Sequence, residues 1–193
     1  DRQTVQAITP DDVRRFFEAR YHAGSMVISL AGPIDHERAL SIVSTAFADI
    51  LTTGHVPTRH APEAVGKAQT IDDDTEQVHI VMGGRSLPRG DEDREALDVV
   101  NHVFGGGLSS RLFEEIRERR GLAYSVYSGV SAYADSGAFQ MYAGTQPEHG
   151  GQVIELMRTE LDRLVSDGVS DDELDVAIGY LTCAVELRLD DTA

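Results

Sequence analysis

The stretch FGGGLSSRLFEEIRERRGLAYSVY, residues 104–127, decides how this chain folds. Three consecutive glycines, Gly105, Gly106 and Gly107, interrupt a helical pattern and permit close backbone approach and φ values that other residues avoid. Upstream, Ala96, Leu97, Val99, Val100 and Val103 form the apolar stripe of a helix introduced at Gly90-Asp91 and ending at Phe104. Downstream, a short helix runs through Glu118, and strands at 124–131 and 138–143 turn back on each other around 133–137. Working outward, 76–82 alternates as a half-buried strand and 69–71 reads as another. Val153, Ile154, Met157, Leu161 and Leu164 mark an amphipathic helix over 152–165. Ser170 and Glu173 form a capping box that opens a last helix. Strands and helices in separate blocks imply α+β, an antiparallel sheet packed with helices.

The first fifty residues carry a smaller pattern. Thr9 caps a helix with Pro10 in its first turn and Asp11 and Asp12 facing the dipole. An apolar strand is expected at 26–31, and Asp35 caps a second helix with Ala39, Leu40, Ile42, Val43, Ala46 and Phe47 on one face. Residues 52–67 hold Gly54, Pro57, Pro62 and Gly66 without an apolar period, the composition of a linker. The expected organisation is therefore the tail of an earlier domain at 1–51, a linker at 52–67 and a fuller domain at 68–193. The chain opens without Met and is read as a piece of a longer protein.

Thirty-three acidic against seventeen basic residues give a formal charge of −16 in 193 residues. Such a balance repels phosphates and excludes a nucleic-acid partner. A single cysteine, Cys183, excludes an internal disulfide framework and a cysteine-rich zinc site. No apolar run approaches the roughly 20 residues that span a bilayer. The absence of disulfides and of a visible signal gives a cytoplasmic expectation.

Familiar catalytic patterns fail one by one. Gly105 to Gly107 are followed by no Lys and preceded by a helix, so neither phosphate-loop pattern holds. His36-Glu37 is followed by Leu40 where a zincin needs His, and Glu148-His149 is preceded by Thr145 where the inverted motif needs His. Asp72 to Asp74 lack calcium-loop spacing. Ser109-Ser110 lies outside a nucleophile elbow, and Cys183 has no neighbouring base.

One pair is more specific. Arg117 and Tyr124 flank the junction of a helix and a strand. A guanidinium offers forked donors to peptide carbonyls, and a phenol offers one donor to a developing oxyanion. The plainer alternative is a solvated helix arginine and a half-buried strand tyrosine.

The run 104–127, with YADSGAF at 133–139 and YAGT at 142–145, resembles the M16 peptidases, the relatives of pitrilysin, insulinase and the mitochondrial processing peptidase. The likeness is greatest to the second domain of the processing-peptidase branch. ITPDDV at 8–13, Phe16-Phe17, Tyr21-His22 and 26–32 resemble the end of that family's first domain. The resemblance implies a zinc metalloendopeptidase whose two halves close around an extended peptide or presequence. One half holds zinc through H-x-x-E-H and a downstream Glu; the other grips the substrate through an Arg and a Tyr, matched here by Arg117 and Tyr124. Gly105, Gly106 and Gly107 match the family's glycine-rich loop near the substrate, with helix-linking flexibility as the plainer reading. The zinc motif is missing from this sequence and is expected upstream of Asp1. The fragment is therefore expected to bind no zinc and to cleave nothing alone, while the parent carries zinc, takes a peptide substrate and forms a homo- or heterodimer. The alternative is a non-catalytic M16-like subunit that binds peptides or builds an assembly, as the core subunits of respiratory complex III do.

Overall fold

A computed structural model describes residues 2–50, 58, 60–63 and 66–190. The chain divides into two compact units, residues 1–59 and 60–193.

In the first unit α1 (Arg2–Ala7), which the sequence pattern did not signal, precedes α2 (Pro10–Arg20) and α3 (His36–Ala46). Thr9 caps α2 as expected, its hydroxyl accepting from the Asp12 N–H while the Asp12 carboxylate accepts from the Thr9 N–H. Asp35 caps α3 by accepting from the Arg38 N–H at 3.0 Å. The strand expected at 26–31 does not form. A strand needs a ladder partner, and none pairs with this segment among the described residues, where Val27 is 97% exposed. The apolar face expected on α3 is likewise uncovered at Leu40 and Ile42. His22 is the only buried side chain among the described residues of this unit.

The second unit holds the core. β1 (Val78–Ser86), β2 (Ala123–Ala132) and β3 (Gly137–Thr145) form an antiparallel sheet in the order β1-β3-β2. β1 begins two residues later than its alternation implied and runs on through Gly83 and Gly84; the strand expected at 69–71 is absent. Gly83 allows the continuation, because a Cβ there would stand 2.4 Å from the Phe139 carbonyl oxygen across the ladder. One face of the sheet, with Ile80, Val126, Met141 and Ala143, packs against Phe104, Leu112, Ile116, Val153 and Met157. Each such apolar side chain contributes about 1.5–3 kcal/mol by leaving water.

The helical layer consists of α4 (Arg94–Asn101), α5 (Gly150–Asp167), α6 (Asp171–Asp190) and two π-helical segments, His102–Gly106 and Phe113–Glu118. α4 starts later than Gly90-Asp91, because 89–93 are spent on a turn tied by Arg89 N–H to the Tyr133 carbonyl at 2.7 Å. Its stripe lies at the rim, with Ala96 exposed, and the core is entered only at Val103 and Phe104. Helical winding therefore runs past Phe104 and takes in Gly105 and Gly106.

The α5–α6 corner is tied by charge. Gly168 ends α5 at φ +74°, which glycine tolerates without strain. Arg111 donates to both oxygens of Glu173, at 2.6 and 2.8 Å, and to the Gly168 carbonyl at 2.7 Å. Glu173 also accepts from the Ser170 N–H, completing the capping box foreseen in the sequence.

Two outcomes follow. The Arg111 guanidinium, helped by Ser170, holds the Glu173 carboxyl down at about 2 against an ordinary 4.5. A folded carboxyl that titrates below the unfolded one contributes stability fully above pH 4.5 and loses it as pH falls toward 2. Glu173→Gln should lower stability at neutral pH by about 1–2 kcal/mol and flatten urea midpoints across that window; an unchanged acid profile would contradict the assignment. At Gly105 an added Cβ would lie 2.5 Å from the Ser128 N and 2.6 Å from its Oγ. Gly105→Ala should therefore cost about 3 kcal/mol or more, read as a fall in the urea midpoint.

Candidate functional site

The site is built where the second π-helical segment hands the chain to β2. The segment Phe113–Glu118 is closed off by Gly121, whose N–H donates to the Arg117 carbonyl at 3.0 Å and whose φ of +65° turns the backbone toward the strand. Seven residues separate Arg117 from Tyr124 in sequence, yet the structure brings them together. The Arg117 guanidinium carbon lies 4.9 Å from the centre of the Tyr124 ring and 4.7 Å from that of Phe113. Phe113 and Arg117 are four apart on one turn, so the aromatic floor comes from the helix and the aromatic roof from the strand.

Tyr124 owes its direction to a bulge. The β2–β3 register pairs Ala123 with Thr145 but Ser125 with Gly144, so one residue is extra at Tyr124. Strand side chains alternate, and residues three apart would ordinarily face opposite ways. The extra residue lets Tyr124 and Tyr127 both stand exposed while Ala123 and Val126 stay in the core.

Arg117 differs from its basic neighbours in what it spends. Arg111 is bound to Glu173, Arg119 to Glu114 and Glu115, and Arg120 to Glu115. Among the described residues no carboxylate pairs with Arg117, whose side chain makes only the two ring contacts. The two ring contacts use none of its N–H donors, which remain available to a ligand.

The uncovered face of the sheet continues this surface. Tyr127 and Tyr142, opposite each other in the ladder, stack at 4.9 Å, and His79 Nδ1 lies 2.8 Å from the Tyr142 hydroxyl. Sequence reasoning did not single out Phe113, Tyr127, Tyr142 or His79 as site residues. The i, i+4 spacing of Phe113 and Arg117 was the available signal for the first. No spacing signalled the ridge, because Tyr127 and Tyr142 lie on different strands and meet only through the β2–β3 register.

The glycine run meets the helix-covered face of the sheet, opposite to the tyrosines. Gly105 is buried against Ser128 of β2, whose hydroxyl donates to Asn101 Oδ1 at 2.8 Å. Gly106 is exposed, and Gly107 is half-buried against the His102 ring. Packing alone gives Gly105 and Gly107 a reason to be glycine. Among the described residues no three His, Cys, Asp or Glu side chains converge to hold a metal ion. The described residues do not fit a zinc site. No helix among the described residues is long and apolar enough to cross a membrane.

The fold, a three-stranded antiparallel sheet with its helices on one face, matches a known class. Residues 7–181 match the peptidase M16 inactive domain, and the chain belongs to the M16 peptidase family. An uncharacterized zinc protease of Streptomyces coelicolor is 41% identical over 197 residues, covering 98% of this chain and 43% of that protein. The crystal structure of a peptidase M16 inactive domain from Pseudomonas fluorescens superposes with a TM-score of 0.85 at 27% identity, over 93% of this chain and 44% of that one. A protease from Helicobacter pylori shares the fold, with a TM-score of 0.86 at 19% identity over 98% of this chain and 48% of that one. The chain thus spans less than half the length of each of these three relatives.

A double-mutant cycle of Arg117→Ala and Tyr124→Ala should show a stability coupling of about 0.5–1 kcal/mol. A coupling near zero would mean that the two side chains do not hold each other.

Proposed function

We propose that this chain supplies the substrate-gripping surface of a zinc-dependent M16 endopeptidase, the metal being held by other residues of the parent protein. The observation that carries the reading is Arg117: a guanidinium locked between Phe113 and Tyr124 with no acid partner among the described residues. An arginine ordered in advance and left unpaired loses little entropy when it takes a peptide carbonyl. Tyr124, 78% exposed beside it, presents a phenol that can donate to an oxyanion. The ridge of Tyr127 and Tyr142 extends the surface along the sheet, as an elongated peptide requires. Presequence-like peptides are the substrate class that the processing-peptidase resemblance favours, and a dimer is the assembly it favours.

The test uses the zinc-loaded parent protein and a fluorogenic extended peptide. Tyr124→Phe should lower kcat by about 10²-fold with KM little changed, since the oxyanion forms only in the transition state. Arg117→Ala should raise KM as well as lower kcat. Zinc content by metal analysis should stay at the wild-type level in both. Cleavage at wild-type rates in both variants would overturn the proposal. A parent that binds the peptide through Arg117 and never cleaves it would instead be a non-catalytic binding subunit.

A further inference from the structure

His102 is 7% exposed and lies at the junction of α4 with the glycine run. On one side its ring stacks on Tyr180 of α6, with centroids 4.3 Å apart and planes 19° from parallel. On the other side the glycine backbone closes over the ring edge. A Cβ at Gly107 would stand 2.9 Å from His102 Cε1 and 3.1 Å from Nε2, and one at Gly106 would stand 3.4 Å from Nδ1. The imidazole is therefore a spacer between the last helix and residues 106–107. Neither ring nitrogen has a hydrogen-bond partner among the described residues. A cavity of about 180 Å³ opens beside it, lined by Ser109, Asp172, Glu173 and Val176 among others.

We propose that His102 and Tyr180 form a proton-responsive wedge that positions the glycine run, holding it closed when the imidazole is neutral and releasing it when the imidazole is charged. The inference rests on ring geometry and holds whether or not the run touches a peptide. In the neutral form the ring packs flat on Tyr180 at no electrostatic cost. In the charged form it must carry a positive charge in a largely buried site, with the Tyr180 face but no hydrogen-bond acceptor among the described residues to receive it.

The groups facing it decide where the charge would go. From α6 come Asp172, Glu173 and the Tyr180 phenol; Glu173 is already committed to Arg111 and Ser170. Asp172 is exposed across the cavity and is the group toward which an imidazolium would swing. β2 presents only the Ser128 hydroxyl to this segment, itself bound to Asn101. α5 contributes apolar Val153 and Met157 to the core around Phe104, and its buried Glu160 is paired with Arg163. On α4 itself Asp98 is paired with Arg94. Burial pushes the His102 imidazole below its ordinary 6.5. A depressed histidine leaves stability intact above pH 6.5 and loses it progressively as pH falls below that value.

Two measurements on the parent protein test the wedge. Carbon-13-labelled histidine, assigned by comparison with His102→Phe, gives the titration of His102 directly; the midpoint should lie below 6.5. A midpoint at or above 6.5 would overturn the proposal. Hydrogen exchange of the 102–112 peptide, corrected for the intrinsic pH effect, should become about fivefold or more faster between pH 7.5 and 5.5. His102→Phe keeps a flat ring and removes the proton, so its exchange should be slow and independent of pH. Tyr180→Ala should exchange fast at both values, with β3 protection as the control for folding. A pH response in His102→Phe equal to that of the wild type would refute the wedge.

Discussion

The structure depends on one close approach, that of the Gly105 backbone to Ser128 of β2. Because position 105 carries no side chain, the π-wound end of α4 lies directly on the sheet and drives Phe104, fully buried, into the centre of the core. From there the chain emerges at a set height above β2. The following helical segment presents Leu112 and Ile116 inward, and Phe113 and Arg117 meet the strand's Tyr124 at its rim. A side chain at 105 would lift the whole layer and separate the two halves of the stack.

What distinguishes the site is restraint in the use of charge. The chain is strongly acidic, and the arginines nearest the site, Arg111, Arg119 and Arg120, are bound to carboxylates. Arg117 has Glu114 and Glu118 close in sequence, but the two rings hold its guanidinium instead. Ion pairs at the surface contribute little to stability, so diverting this arginine from them costs the fold little and leaves a set of oriented donors. The same economy appears at His102, where an aromatic stack rather than a hydrogen bond holds an ionisable ring.

Much of this was legible in the residues. The alternation at 124–131 and 138–143, the amphipathic period of α5 and the Ser170–Glu173 box are local patterns whose partners lie within the same unit, and they appear close to where the sequence places them. The stretch at 26–31 failed for the opposite reason: its apolar run reads as a strand, but strand formation is decided by a neighbour, and none is present among the described residues. The linker at 52–67 lies largely outside the described residues. Arg117 and Tyr124 could be named from the sequence, but the bulge that turns Tyr124 outward and the ring of Phe113 beneath Arg117 could not. Both depend on register and on helix winding, which residue types alone do not specify.

The most direct measurement is a crystal structure of the parent protein, stripped of metal by a chelator so that nothing is cut, with an extended peptide bound. A backbone carbonyl of the peptide should lie within hydrogen-bond distance of an Arg117 guanidinium nitrogen and of the Tyr124 hydroxyl, with the Phe113–Arg117–Tyr124 stack unchanged. A peptide seated elsewhere, with that stack open to solvent, would contradict the gripping role.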